Sequence, residues 1–143
     1  VNQCLIFTCE NSTDKIKENS LTITCVSEYI KGYYDSCLDL EILISDNPCL
    51  EILINKEGAI SIDNISNNPL LISVNPWLKM MQVKSLLAVG PFYQGKVNGL
   101  ITLHHCDNLH TWTKDEIELL EALAGHLGIA ITQAYLLKQE KRN

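Results

Sequence analysis

The segment KVNGLITLHHCDNLHTWTKDEIELLEALAGHLGIAITQA (residues 96–134) contains the change of pattern that decides the fold. Residues Lys96 to His105 are predicted to form a β-strand, the second strand of a hairpin. Beyond this strand the apolar residues recur every three or four residues, as they do along one face of a helix. Thr113 and Glu116 have the spacing of a capping box, in which each side chain binds the other residue's backbone N–H group. A helix is therefore predicted to begin at this pair.

The predicted terminal helix, residues 113–143, carries two apolar stripes. One apolar face is enough to cover a sheet. The first stripe is expected to transmit a signal or to pair in a homodimer, and its residues are Ile117, Leu120, Ala124, Leu127, Ile131 and Ala134. The second stripe needs another partner, either a second copy of this helix or an N-terminal helix outside this chain. If the partner is a second copy, a charged residue in place of Leu127 or Ile131 is expected to dissociate the dimer.

The rest of the chain predicts two hairpins separated by a helical excursion. Strands at residues 2–9 and around 21–26 form the first hairpin, and strands at 84–92 and 96–105 form the second, joined at Tyr93-Gln94-Gly95. Between them the pattern predicts a short helix that starts at Pro48 and closes at Gly58, a brief strand at 59–63, and a short helix at 76–82. This order is typical of the α+β class, an antiparallel sheet with helices on both faces.

Composition limits the function classes. The 143 residues are the size of one domain, and 46% of them are hydrophobic, which is ordinary for a globular protein. The net charge of −6, without a basic block, argues against nucleic acid or an anionic membrane as a partner. No uninterrupted apolar run reaches the roughly 18 residues that span a bilayer, so no membrane contact is expected. Most of the six cysteines lie in apolar strand patterns, which predicts free thiols and a cytoplasmic setting.

Five short motifs resemble those of GAF domains, in particular those of cyanobacterial multi-sensor histidine kinases, phytochromes and cyanobacteriochromes. They are the strand SLLAV, a Gly-x-hydrophobic-x-Gly-Leu hairpin, a strand ending in His-x-Cys, a Trp-Thr-x-Asp-Glu helix start, and an Ala-Ile-x-Gln-Ala helix segment. The resemblance implies one GAF domain over residues 1–143, with an antiparallel sheet of about five to six strands and a long C-terminal helix. It also implies a non-catalytic sensory module of a two-component system, which passes a change in a bound small molecule to an output domain.

The resemblance places a ligand pocket under residues 46–81. Its expected lining is Cys49, Ser73, Trp77, Leu87, Thr102 and His104, with Tyr29, Tyr33 and Tyr34 as outer candidates. In bilin-binding members a Cys-His pair forms the thioether bond, but Ser73-Val74 stands at those positions, and serine at its ordinary pKa does not replace the thiol. Cys49 matches an upstream cysteine motif in weakened form, and its alternative role is that of an apolar helix residue. The cofactor therefore stays unassigned.

Other sites are less well supported by the sequence. His104 and His105 are neighbours on a strand and point to opposite faces, so they cannot join Cys106 and His110 around one zinc ion, and no metal site is predicted. Cys4-x4-Cys9 is a weak iron–sulfur spacing. The cyclic-nucleotide signature of the family is missing, and no phosphate loop, nucleophile elbow or carboxylate pair indicates an enzyme. A ligand-binding sensor and an empty structural dimerisation module both remain open.

Overall fold

The computed structural model describes residues 2–11, 21–43, 58–69, 71, 75–93 and 96–142. These residues form strands on both sides of a short helical segment, followed by one long terminal helix. The elements are β1 (Gln3–Asn11), β2 (Leu21–Ile30), β3 (Glu41–Leu43), β4 (Ile60–Ile62), a 3₁₀ turn (Ile65–Asn67), α1 (Asn75–Met80), β5 (Ser85–Val89), β6 (Phe92–Tyr93), β7 (Lys96–Val97), β8 (Gly99–His105) and α2 (Lys114–Arg142).

Six strands form one antiparallel sheet in the order β3-β2-β1-β8-β5-β4. β1 and β2 are the predicted opening hairpin, interrupted by a bulge where the register shifts between Ile6 and Phe7. β8, the last strand in sequence, lies in the interior of the sheet between β1 and β5. The α+β class, the antiparallel sheet of about six strands and the long terminal helix are confirmed.

The second predicted hairpin differs from the expectation because each of its long strands is broken in two. β5 ends before Gly90-Pro91, and β6 and β7 form a separate two-stranded ribbon. Pro91 has no N–H group for a ladder, and its carbonyl instead accepts a 3.0 Å bond from the backbone N–H of Asn98. β3 is an addition within a region where no strand was predicted. The predicted helix at residues 48–58 lies outside the described residues, except for Gly58 at its end.

The two faces of the sheet hold separate apolar clusters. The face toward α1 is formed by buried residues that include Leu5, Phe7, Ile23, Leu78 and Met81. The opposite face packs against α2 through Leu87, Val89, Ile101, Trp112, Leu120 and Ala124. The sheet is therefore the middle layer of three, and α2 covers only one side of it.

The stripe of α2 that was proposed as a dimer face packs against the protein's own sheet. Leu120 and Ala124 are buried there, and Ile117 and Leu127 are half-buried beside them. Ala134 is exposed, near the end of the helix. A charge at Leu127 or Ile131 would disturb this packing of α2 on the sheet, so loss of a dimer in such a variant would not by itself identify a dimer face. The second stripe is the exposed one, and it contains Leu119, Leu123, Ile129, Leu136 and Leu137.

The two stripes make α2 unusually apolar. By length and composition alone the segment Lys114–Glu140 is long and apolar enough to cross a membrane. The sequence contains no uninterrupted apolar run of that length, but this helix meets the requirement when its few polar residues are allowed for. Leu120 and Ala124 nevertheless hold the helix against the sheet. A helix with one covered and one exposed apolar face meets the same criteria as a membrane span.

Gly99 is required by the close approach of two strands. A Cβ at this position would lie 2.5 Å from the carbonyl oxygen of Phe7 and 3.1 Å from Cδ1 of Ile131. Gly125, on the exposed side of α2, has no such neighbour within 4 Å. Gly99→Ala should therefore lower the free energy of unfolding by about 1–3 kcal/mol. Gly125→Ala should raise it by about 0.5–1 kcal/mol, because alanine favours the helix.

Urea denaturation of both variants measures this difference. Opposite signs for the same glycine-to-alanine change are expected. Equal effects at the two positions would mean that β1 and β8 can separate at no cost, contrary to the pairing of Thr8 with Gly99.

Candidate functional site

The alternation of β8 places polar groups inside the apolar face that α1 covers. Thr102 and His104 lie on this face, and Gln3 of β1 is paired with His104. All three are buried. His104 Nδ1 lies 2.8 Å from Oε1 of Gln3, which requires the proton to be on Nδ1, and Nε2 of Gln3 donates to the carbonyl of Met81 at 3.5 Å. Complete burial lowers the pKa of His104 to about 3, so its imidazole is neutral at physiological pH.

Thr102 is the buried polar group of this face without a partner among the described residues. Its hydroxyl oxygen is inaccessible to solvent and makes no hydrogen bond there. An unsatisfied buried hydroxyl costs about 1–3 kcal/mol, so such groups mark places where a further partner is expected. Thr102 and His104 were both predicted to line the pocket, and they do lie on one face.

Leu87 does not join them. It is paired with Leu103 on β8 and belongs to the cluster beneath α2. Leu87 therefore lies on the face opposite Thr102 and His104, and Leu86 and Ala88 lie on their face instead. Trp77 falls within α1, and Cys49 and Ser73 lie outside the described residues.

On the other face, three titratable side chains meet where β8 passes into α2. The rings of His105 and His110 stack with their centroids 4.1 Å apart, and Trp112 contacts both rings. His110 Nε2 lies 2.9 Å from Oε1 and 3.1 Å from Oε2 of Glu116. We refer to His105, His110 and Glu116 as the histidine cluster.

Backbone and hydroxyl groups fix the histidine cluster from outside. The predicted capping box is confirmed: the Thr113 N–H donates to Oε1 of Glu116 at 2.9 Å, and the Glu116 N–H donates to Oγ1 of Thr113 at 3.2 Å. These bonds, with the one from His110, lower the pKa of Glu116 to about 2. Burial lowers the pKa of His105. The carboxylate is therefore charged and the His105 ring neutral at pH 7.

The connecting segment is also tied to the β4–β5 side of the sheet. Nε1 of Trp112 donates to the carbonyl of Ile62 at 3.3 Å, which confirms the prediction that this tryptophan anchors the helix start against the core. Ser85 links the same parts, because its Oγ accepts the N–H of His110 at 2.8 Å and donates to the carbonyl of Asp63 at 2.6 Å. The segment between β8 and α2 is held at several points.

An open cleft of about 600 Å³ lies beside the histidine cluster, and His105 forms part of its wall. The phenol of Tyr34 donates to Asp107 at 2.9 Å, and the amide of Asn2 donates to the other oxygen at 3.0 Å. Two of the tyrosines expected at an outer site line this cleft, while Tyr29 does not. The lining residues are Asn2, Lys31, Gly32, Tyr33, Tyr34, Gln82, His105, Asp107 and Asn108.

The five described cysteines are free thiols in surroundings that disfavour the thiolate. Cys9 packs with the α1-facing cluster and Cys4 with the α2-facing one, so this pair cannot reach a shared iron–sulfur cluster. Burial raises the pKa of Cys9, Cys37 and Cys106 to about 11. These raised pKa values keep the thiols protonated at neutral pH, which disfavours redox chemistry at these positions. Cys49 lies outside the described residues.

The histidine cluster is the site that the sequence failed to reveal. The separation of His104 and His105 onto opposite faces is confirmed, but the metal argument from the sequence considered only His104, His105, Cys106 and His110 as ligands. Glu116 was assigned to the helix cap alone. The sequence feature that could have indicated the cluster is the loop between His105 and His110. This loop is long enough to bring His110 back to the strand end and the first turn of α2.

A family model for the GAF domain matches residues 3–131. Over 59 residues, 41% of this chain, the sequence is 41% identical to the circadian input-output histidine kinase CikA of Synechococcus elongatus, and the match spans 8% of that kinase. Over 64 residues it is 34% identical to a putative methyl-accepting chemotaxis protein of Synechocystis, covering 45% of this chain and 6% of that protein. The matched segments are thus small parts of much longer proteins.

Solved structures share the fold at low sequence identity. The blue-light absorbing form of the Thermosynechococcus elongatus PixJ GAF domain aligns with a TM-score of 0.76 at 17% identity, over 99% of this chain and 80% of that one. The phycocyanobilin-bound GAF domain of a cyanobacterial phytochrome aligns with a TM-score of 0.72 at 23% identity, over 95% and 77%. The GAF domain of an Acinetobacter phosphoenolpyruvate-protein phosphotransferase aligns at 0.70 and 16%, over 97% and 75%.

Because His104 is buried and neutral, it makes the free energy of unfolding depend on pH, and the direction of this dependence can be stated. Its pKa in the folded protein, about 3, lies below the 6.5 of an unperturbed histidine, so the unfolded state binds the proton more readily. Stability from this group is therefore present above pH 6.5 and is lost as the pH falls toward 3. His104→Asn, which keeps a donor for Gln3, should reduce the slope of unfolding free energy against pH.

The slope is best measured between about pH 6 and 5, above the ordinary range of carboxyl titration. In the His104→Asn variant this slope should be smaller by up to about 1.4 kcal/mol per pH unit. His126→Asn, at an exposed position of α2, is the matched control and should keep the wild-type slope. An unchanged slope in His104→Asn would show that this ring is hydrated in the folded protein.

Proposed function

This chain belongs to the GAF domain family, and from that premise we propose that it is a non-catalytic sensory module of a cytoplasmic signalling protein. It holds a small ligand on the α1-facing side of the sheet and passes a change through β8 and α2 to an output domain. The parent protein is a histidine kinase of the two-component type, in keeping with the similarity to CikA. A GAF domain of this kind acts by shifting the population between two packings of its helices.

The observation that carries the ligand proposal is the buried hydroxyl of Thr102, which has no hydrogen-bond partner among the described residues. Thr102 and the Gln3–His104 pair supply polar groups directed at one region of the α1-facing cluster. A few convergent polar groups in an apolar surround are the usual composition of a small-molecule site. The ligand therefore has an apolar body and at least one group that hydrogen-bonds to a hydroxyl.

The route to the output follows from the position of β8. Thr102 and His104 face the ligand side, while Leu103 and Ile101 on the same strand face α2. Because β8 contacts α2 directly, a shift or twist of β8 caused by a ligand would change the packing of the helix without any intermediate element. Asn98, just before β8, also donates to the carbonyl of Gly128 and to Oγ1 of Thr132, both at 2.8 Å. The strand and the helix are thus coupled along their length.

A bilin is one candidate ligand, because one similar GAF domain is described as phycocyanobilin-bound and another as a far-red cyanobacteriochrome photoreceptor. Protein produced in cells that supply biliverdin and phycocyanobilin should be studied by absorption spectroscopy and native mass spectrometry. A visible band that survives denaturation would indicate a covalent bilin, and Cys49→Ala should then abolish it. Cys4→Ala, on the α2-facing side of the sheet, should retain the band.

Thr102→Val separates a ligand site from an empty core. If a ligand bonds the hydroxyl, the variant should bind it about tenfold more weakly, which corresponds to one hydrogen bond. If the face is empty, removing an unsatisfied hydroxyl should leave stability unchanged or raise it. Thr24→Val, half-buried on β2 and directed to the other face, is the control. Protein without any bound small molecule, together with a more stable Thr102→Val variant, would favour a structural module.

We further propose that the exposed stripe of α2 pairs with a second copy of itself. Leu119, Leu123 and Leu137 are each more than half exposed, which is costly for leucine in water. A long helix with an exposed apolar stripe suits an isologous two-fold contact, in which the same patch occurs on both subunits. Residues 122–137 of α2 contain no Asp, Glu, Lys or Arg, so charge repulsion does not oppose pairing along this part of the stripe.

Leu123→Arg should raise the dissociation constant of the dimer by about tenfold or more, because it places a charge in the contact. Sedimentation velocity over a concentration series measures this effect. Leu109→Arg replaces a leucine of similar exposure outside α2 and should leave the dimer intact. A wild-type protein that is monomeric at high micromolar concentration would contradict the proposal and favour a helix of the parent protein as the occupant of this stripe.

A further inference from the structure

We propose that the histidine cluster binds one divalent transition-metal ion of the zinc type, with His105, His110 and Glu116 as its three protein ligands. One ligand atom from each residue lies within 4.8 Å of the other two. The site is on the α2-facing side of the sheet, and it is independent of the ligand proposed for the opposite face.

The chemistry of these three groups suits a borderline metal ion. Imidazole nitrogen and carboxylate oxygen are common ligands of Zn²⁺, and two histidines with one carboxylate are frequent in sites that leave a position open. Nε2 of His105 is buried and has no hydrogen-bond partner among the described residues. A buried nitrogen in a neutral ring offers a lone pair that nothing in this part of the chain uses.

The contact between His110 and Glu116 already resembles two ligands of one cation. A proton now lies between Nε2 and the carboxylate, at 2.9 and 3.1 Å from its two oxygens. In a tetrahedral site with bonds of about 2.0–2.1 Å, adjacent ligand atoms are about 3.3 Å apart. This pair would therefore widen slightly as a metal ion replaces the proton, which leaves to solvent.

The third ligand requires a rearrangement. A metal ion must lie in the plane of each imidazole that binds it, whereas the rings of His105 and His110 are stacked with only 20° between their planes. One ring must therefore turn out of the stack. His110 is on the connecting segment, with 31% of its side chain exposed, and it can turn without disturbing β8. Metal binding would thus exchange a stacked arrangement for a coordinated one.

Outer contacts hold the ligands near these positions. Thr113 fixes the carboxylate of Glu116 through its N–H and its hydroxyl, and Ser85 holds the backbone of His110. Such outer-shell contacts orient ligands and raise metal affinity. His105 also borders the polar cleft, so a water molecule or a small anion can reach a fourth coordination position from that side.

The position of this site connects it to signalling. Its ligands come from the end of β8, from the connecting segment, and from the first turn of α2. One ion would therefore fasten the strand to the start of the helix that carries the exposed stripe. Metal binding should stabilise the folded protein in proportion to the logarithm of the free metal concentration once the site is saturated.

Zinc titration of the metal-free protein by isothermal calorimetry tests the proposal directly. Wild-type protein should bind about one ion per chain and should unfold at a higher temperature when zinc is present. Co²⁺ serves as a spectroscopic probe. It should give visible bands of a low-coordinate nitrogen and oxygen site, without the near-ultraviolet charge-transfer absorption of thiolate ligands.

Two variants remove ligands while preserving the fold. Glu116→Gln keeps the capping box, in which glutamine is as suitable as glutamate, but removes the anionic ligand. His110→Gln removes the imidazole. Changes in outer-shell partners typically weaken metal binding about 10- to 100-fold. Because these variants remove a direct ligand, each should weaken zinc binding by at least that much. The matched controls, Glu118→Gln and His126→Gln, make the same replacements at exposed positions of α2 and should bind zinc as the wild type does.

Three results would overturn the proposal. The first is a wild-type protein that retains no zinc after dialysis against micromolar zinc. The second is unchanged affinity in Glu116→Gln and His110→Gln, which would place the ion elsewhere. The third is a thiolate charge-transfer band with Co²⁺, which would assign the ligands to cysteines. In each case the histidine cluster would be only a packed cap at the start of α2.

Discussion

The hydrogen-bonded position of β8 between β1 and β5 is the constraint on which both functional faces depend. Because both neighbours are paired with it, β8 cannot slip by one residue without moving every side chain to the wrong face. This register sends Thr102 and His104 into the cluster under α1 and directs Leu103 and His105 toward α2. A ligand on one face and a helix on the other can therefore act on the same strand.

The segment that follows β8 turns this strand into a support for the terminal helix. Trp112 fills a buried position and bonds to β4, while the capping box fixes the first turn of α2. The same carboxylate that caps the helix also contacts His110. Capping and packing contacts are thus concentrated in the dozen residues from the end of β8 to the first turn of α2.

The sequence predicted most of the elements but not all of their contacts. The capping box, the anchoring tryptophan, the opening hairpin and the short strand β4 depend on local spacing, and they are confirmed. The second hairpin was predicted with unbroken strands because the spacing of apolar residues does not take account of the missing N–H group of Pro91. Leu87 was assigned to the ligand face because alternation within β5 fixes only which residues share a face. Its pairing with Leu103 decides which face that is.

By itself the sequence determined the fold class, the family and the two apolar stripes of α2, since these follow from patterns within single segments. It could not decide which stripe covers the sheet, because both have helical spacing and similar apolar content. Only the packing of Leu120 and Ala124 against β5 and β8 made that choice. Nor could it bring His105 and Glu116 together, because the path of the intervening loop is set by contacts with Ser85 and Asp63, far away in the chain. Local spacing determines elements, whereas contacts distant in sequence determine sites.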